Sequence, residues 1–396
     1  MTFAGKRFVG VPSRLADAAI VPLDSVSQSD TAGSGFHVNN RRPARRDPRP
    51  DLPFRSDRES MPSIRYLAAA DVSTAMVPLP ERLALAEKTL RAFGGDSEMP
   101  PKIGVHPRQA DSVAHAMPAL LRGSAADGSD DSIGLKWIVG FPNNPAIGLP
   151  TYHALLLLND PQTGVPLAVM DAGTITAART AAISGTAIRL FMPDTLGRPA
   201  RVAVLGAGAQ ARAHLPIIGY LLPGASVRLA DREIDRANAL AAEAGILGGA
   251  AAIEVVPDVR QAAEGADLVV SVVSFGPDHQ SLDPEWLGPE TLFVAVDYDM
   301  QAPAQLARAA FFVVDERAQF LATGSESWFV GYPDPDATLG EALRGAAVDE
   351  AGRLRAARRS GRVLVAHLGV GLADVVFASA ILARAEQLGL GRVLPL

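Results

Sequence analysis

Cysteine is absent from all 396 residues, which removes disulfides, thiolate nucleophiles and Cys-ligated metal sites together. Long apolar runs are also missing. None approaches the ~18 residues of a membrane span, and the N-terminus lacks the apolar core of a signal peptide. A cytoplasmic location without membrane contact is therefore expected. Basic residues are in slight deficit, 37 against 43 acidic for a net charge of −6, so no nucleic-acid partner is expected either. With 48% hydrophobic and 20% charged residues, what remains is the composition of a globular protein long enough for two domains with sizeable cores.

Residues 201–231 carry the densest information. A short β-branched run at 202–205 leads into Gly206-Ala207-Gly208-Ala209-Gln210-Ala211, a helical stretch, a second apolar run and Asp231. Gly206 allows a tight turn, Gly208 admits a pyrophosphate against the backbone, and Ala211 lets helix pack closely on strand. The unpaired N–H groups and dipole of the following helix favour the phosphates. Asp231, 25 residues after Gly206, is placed to accept from ribose hydroxyls and to repel a 2′-phosphate, which favours NAD over NADP. Arg232 beside it tempers that preference, because an arginine there is able to receive the phosphate.

Strand candidates at 202–205, 227–230, 253–256, 268–273, 292–296 and 311–314 alternate with helical segments, which predicts a doubly wound parallel sheet. Before it, strands are expected at 102–105, 135–139, 154–158 and 165–170, with helices at 80–93 and 175–191. The second helix carries Ala177, Ala178, Ala181, Ala182 and Gly185, and small residues in that number imply a close neighbour. A helix at 371–388 has an apolar face that needs a partner in the first domain. Residues 1–60, rich in Arg and Pro without periodicity, read as a flexible extension, with an arm around a partner subunit as the alternative. The expected division is thus 1–60 as extension, 61–192 with 345–396 as an α/β substrate-binding and dimerisation domain, and 193–344 as an inserted Rossmann NAD-binding domain.

Several stretches in combination resemble the ornithine cyclodeaminase/μ-crystallin family. They are Leu135-Lys136-Trp137 with Gly140-Phe141-Pro142-Asn143-Asn144, then Leu157-Leu158-Asn159-Asp160, Met170-Asp171-Ala172, Arg179-Thr180-Ala181-Ala182, the glycine-rich turn and Val294-Ala295-Val296-Asp297-Tyr298-Asp299. The resemblance runs from about residue 80 to the C-terminus and implies a homodimer with its active site between the two domains. It also implies that Lys136 and Arg179 hold a substrate carboxylate, a role that fixed cations and the guanidinium fork suit. Read without the family, the lesser alternatives are a strand-edge charge for Lys136 and a surface ion pair for Arg179. Asp299 matches the family's catalytic aspartate, with Asp297 as rival; a desolvated carboxylate there is suited to general base work on an amine or water. Further cofactor contacts implied by the resemblance are Ala209 and Gln210 at the pyrophosphate, Thr151 at a phosphate oxygen, Arg179 bridging to the substrate, and Val273 and Val296 as walls.

Departures from the family bear on the substrate. A family arginine is replaced by Lys102, which keeps a cation and loses the fork. A family glutamate that contacts the amine end of ornithine is replaced by His115, which is either a general acid/base, a hydrogen-bonding group for an acidic or neutral side chain, or structural. The closing segment from His367 to Asp374 is more similar to opine-type dehydrogenases than to cyclodeaminases. The resemblance therefore implies NAD(H)-dependent hydride transfer at the α-carbon of an amino, keto or imino acid, ranked above ammonia-lyase chemistry of the cyclodeaminase type. A μ-crystallin-like ligand-binding protein is the alternative of another class. No metal is expected.

Overall fold

The computed structural model describes residues 62–193, 196–243, 249, 252–326, 328–345 and 361–396. The expected extension, 1–60, lies outside the described residues. Two eight-stranded sheets organise the rest. The first contains β1 (Ser63–Leu67), β2 (Ser97–Glu98), β3 (Ile103–Val105), β4 (Val113–Leu121), β5 (Ser132–Gly140), β6 (Tyr152–Asn159), β7 (Pro166–Asp171) and the C-terminal β16 (Arg392–Pro395). Their order is β16-β1-β7-β6-β5-β4-β2, with β3 also on β4, and every pairing is antiparallel except β1 with β7.

The second sheet is wholly parallel, in the order β10-β9-β8-β11-β12-β15-β13-β14. Its strands are β8 (Arg201–Leu205), β9 (Ser226–Ala230), β10 (Ala252–Val255), β11 (Leu268–Ser271), β12 (Leu292–Ala295), β13 (Phe311–Val314), β14 (Ala337–Thr338) and β15 (Val363–Ala366). The chain runs outward from β8 to β10 and then crosses back to β11 on the other side of β8, so the switch point lies between β8 and β11. Ligands of open α/β sheets bind beyond the carboxyl ends of the strands at such a point.

Helices cover these sheets: α1 (Ala69–Ala75), α2 (Leu79–Ala92), α3 (Gly173–Phe191), α4 (Ala209–Leu221), α5 (Ile234–Glu243), α6 (Val259–Ala263), α7 (Ala304–Ala309), α8 (Arg317–Gly324), α9 (Leu339–Gly345) and α10 (Gly371–Gln387). None of the described helices is long and apolar enough to cross a membrane. The small face of α3 has its neighbours on both sides. A Cβ on Gly185 would lie 2.5 Å from Leu83 of α2 and 2.8 Å from Ile217 of α4. Glycine there lets α3 sit between the two, which fixes Arg179 and Ser184 on its buried face. One apolar cluster runs from Leu67 and Met170 of the first sheet through α3 to Val204, Val270 and Val294 of the second, and another covers the second sheet's other face at Leu205, Val269 and Phe293.

Two segments differ from the sequence expectation. Val363–Ala366, expected with the first domain, is β15, paired between β12 and β13. Its four consecutive apolar residues are all buried, as an interior parallel strand requires. Conversely α9, expected at the end of the Rossmann unit, packs on α2, where Arg91 donates to the Leu343 carbonyl at 2.8 Å. A third element, β4, is absent from the expected strands and carries Pro118 in its interior. Pro118 falls between the residues paired to β3 (114–116) and those paired to β2 (120–121), so its missing N–H breaks no ladder on that side.

Candidate active site

The glycine-rich turn has the geometry its sequence demands. Gly206 has φ of 101°, and a Cβ there would lie 2.7 Å from the Val272 carbonyl across the switch point. Gly208 opens α4 and has free space where a side chain would stand, while Ala211 is fully buried. Gln210 Oε1 is buried without a partner. At the end of β9, Asp231 accepts from the Ala207 N–H at 2.7 Å and the Glu233 N–H at 2.8 Å, so it shapes the turn. Arg236 stands 3.8 Å from the same carboxylate, and Arg232 is exposed beside it. An orphaned amide, an open cradle and an acid at the second strand suit a dinucleotide. Val273 and Val296 sit just past β11 and β12, on the same edge of the sheet.

Lys136 and Arg179, expected to hold a carboxylate, meet on a carboxylate supplied by the protein. Asp374 Oδ2 lies 2.6 Å from Lys136 Nζ, and Arg179 Nε donates to Oδ1 at 3.0 Å. All three side chains are buried. The cluster joins β5, α3 and α10, and the alternative reading of both cations as surface charges is thereby excluded. Lys136 is lowered to about 7, chiefly by burial, with Asp374 opposing and Arg179 adding to the shift. Arg179 Nη1 is buried without a partner, and Gly369 lies against the fork so closely that a Cβ would be 2.4 Å from that atom.

Lys102 reaches the same region. Its ammonium donates to the Leu368 carbonyl at 2.6 Å and to the Tyr298 hydroxyl at 3.1 Å. Asp315, buried at the end of β13, accepts from the N–H groups of Leu368 and Gly369 and so holds this loop against Arg179. Burial pushes Asp315 up to about 6, and the Gly369 N–H and the Lys102 charge oppose the shift. His115 on β4 is lowered to about 4 by burial and then by Lys102, His106 and Lys136. The uncharged ring is favoured there, and of the expected roles for His115 it suits that of a hydrogen-bonding group. Thr151, among the described residues, is bonded only through its carbonyl, which accepts from Phe141. No bond ties it to the glycine-rich turn.

The two rival aspartates face apart because Tyr298 between them has φ of 61°. In extended backbone, residues two apart share a face; a left-handed residue breaks that relation. Asp297 accepts from the Ser271 hydroxyl and from the Val273 N–H at 3.4 Å, with Oδ1 unpartnered. Burial pushes it up to about 7 despite the Ser271 bond. Asp299 turns the other way, to His279 Nδ1 at 2.9 Å, the Phe329 N–H at 3.1 Å and Gln280 Nε2 at 3.3 Å. Tyr298, Phe275, Trp328 and His279 form one aromatic wall.

Sequence reasoning missed Asp374, Asp315, Tyr298 and His279. A lone charge in 371–383, the apolar part of that helix, was the available signal for the first. It missed as well a buried chain in which the Ser184 hydroxyl lies 2.8 Å from both His214 Nε2 and His367 Nε2, with His214 Nδ1 donating to the Gln210 carbonyl.

Residues 66–388 match the sequence profile of the ornithine cyclodeaminase/mu-crystallin family. The nodulation efficiency protein NfeD of Rhizobium meliloti is 34% identical over 335 residues, 83% of this chain and 98% of that protein. An alanine dehydrogenase of Archaeoglobus fulgidus is 29% identical over 281 residues, 68% of this chain and 81% of that protein. In fold, the chain superposes on the Thermococcus litoralis Δ1-pyrroline-2-carboxylate reductase, solved with NADH and L-proline, at a TM-score of 0.68 and 22% identity, covering 83% of this chain and 99% of that one. The chain belongs to the ornithine cyclodeaminase/mu-crystallin family.

Proposed function

We propose that this protein is an NAD(H)-dependent enzyme that transfers hydride at the α-carbon of an amino or imino acid. The observation that carries the reading is the buried Lys136–Asp374–Arg179 cluster, which lies with Lys102 at the end of a sheet that also bears a dinucleotide turn. A relative named alanine dehydrogenase and a fold neighbour solved with NADH and L-proline accord with it. The bound dinucleotide would rest on Gly206, Gly208, Ala209 and Gln210 with Asp231 at its ribose, and it supplies or accepts the hydride.

The protein's own groups do the rest. Arg179, through its unpaired Nη1, and Lys136 grip the substrate carboxylate, with Asp374 limiting their combined charge. Lys102 supplies a third cation. The Asp299 side of the cleft manages the proton on the substrate nitrogen. Uncharged His115 offers no counter-charge to a cationic side chain, which disfavours ornithine and the cyclodeaminase reading. A binding protein explains the cations but not the Asp299–His279 pair on the aromatic wall that Lys102 meets at Tyr298. Screening amino acids, and keto or imino acids, for absorbance change of NAD(H) with ammonia assayed in parallel tests the reading. Redox-neutral ammonia release would favour the lyase.

The assembly proposed is a homodimer through the outer face of the first sheet. That face exposes Trp137 at 43%, Leu155 at 49% and Ile133 at 38%, with Trp137 and Leu155 directly opposite across β5 and β6. Exposed apolar side chains sharing one sheet face are suited to burial against a partner subunit.

A further inference from the structure

Asp299 is the residue expected to move the proton, yet its surroundings leave it little to do so with. Its side chain is 2% exposed, and three donors already occupy it: the ring of His279 on Oδ1, and the Phe329 N–H and Gln280 Nε2 on Oδ2. A carboxylate only accepts, so the proton of the shared bond sits on His279 Nδ1 and the ring leaves Nε2 as a free base. The His279 side chain is 38% exposed. Its ring packs 5.1 Å from Trp328, which packs 5.0 Å from Tyr298, whose hydroxyl is held by Lys102. The imidazole thus belongs to the aromatic wall that ends at Lys102.

We propose that His279 Nε2 is the atom that exchanges the proton with the substrate nitrogen, and that Asp299 is its positioning residue. This rests on the reading of the chain as an amino or imino acid oxidoreductase. In the reducing direction the protonated ring gives its Nε2 proton to the imine nitrogen while the imine carbon takes the hydride of bound NADH. One C=N π bond is lost, one C–H and one N–H bond form, NADH becomes NAD+, and the ring is reprotonated from solvent. In the oxidising direction Nε2 takes the amine proton. The pairing follows the logic by which a buried carboxylate holds a catalytic imidazole in one tautomer. Tyr298, in the left-handed region with φ of 61°, is what turns Asp299 toward His279 and away from the Asp297 side.

Two variants test it. In H279A, kcat falls by about 10²- to 10⁴-fold with substrate KM nearly unchanged, and added imidazole restores part of the rate, which a structural role would not allow. In D299N, the Phe329 N–H and Gln280 amide hold the new carbonyl at the Oδ2 position, so the amide N–H faces His279. The ring then switches to the Nε2–H tautomer, read from ¹⁵N chemical shifts of the protein alone, and kcat falls by a similar factor. An active parent whose H279A variant keeps the parental kcat, or loses it without imidazole rescue, overturns the proposal alone. A parent inactive on every amino and imino acid overturns the functional reading and the proposal with it.

Discussion

Asp374 Oδ2 stands 2.6 Å from Lys136 Nζ, so the cation expected to bind a substrate carboxylate is already paired with one from helix α10. The pair is wholly buried and shares Arg179, which makes its members interdependent: removal of the acid strands two cations away from water. Asp374→Asn is expected to destabilise the protein by about 3–5 kcal/mol in denaturant unfolding. A small carboxylate such as acetate or pyruvate should restore part of that loss by neutralising the stranded charges. A variant as stable as the parent, with no response to carboxylates, would show that the three groups do not act as a unit.

The same cluster sets a pH dependence. Lys136 is lowered to about 7, so below that point the three groups carry one net positive charge and above it none. Affinity for an anionic substrate analogue should therefore be full at lower pH and weaken as pH rises through about 7, by at most about tenfold per unit. Competitive inhibition by a keto acid, followed across pH, reads it directly. Lys136→Met should bind weakly and lose this dependence; an unchanged profile in that variant would assign the ionisation elsewhere.

Gly206→Ala should abolish dinucleotide binding while leaving the fold intact enough to melt cooperatively. The backbone there has φ of 101° and a Cβ would press on the Val272 carbonyl at 2.7 Å. Calorimetric titration with NAD(H) would detect this, and the same titration on the parent should give tighter binding of NAD(H) than of NADP(H). Wild-type affinity in Gly206→Ala would place the nucleotide away from this turn.

Trp137→Asp is expected to convert the proposed dimer to monomer in light scattering, since it puts a charge on the exposed face opposite Leu155. A parent that is itself monomeric at micromolar concentration would contradict the proposed assembly.

What was legible in the sequence was what local rules encode. The glycine-rich turn, its flanking strands and Asp231 are contiguous, so their geometry follows from 31 consecutive residues, 201–231. Small residues on α3 announced a close helix, and Gly185 against Leu83 and Ile217 is that contact. Long-range relations were hidden. The gap between β2 and β3 that accommodates Pro118 in β4 comes from chain segments elsewhere. Val363–Ala366 enters the parallel sheet between strands from far earlier in the chain, which no periodicity records. Lys136 and Arg179 were visible as cations, but not the fact that Asp374 pairs both. His279 was invisible because its role depends on a left-handed Tyr298 turning Asp299 toward it.

The central claim is direct hydride transfer between the nicotinamide and the substrate α-carbon, and the most direct measurement is isotopic. NADH deuterated at the transferable position is incubated with the enzyme and a cyclic imino acid, or a keto acid with ammonia, and the amino acid product is examined by mass spectrometry and NMR. The account predicts one deuterium on the α-carbon with NADH consumed in equal amount. Product formed without deuterium, or ammonia released with no net change in NADH, would contradict it.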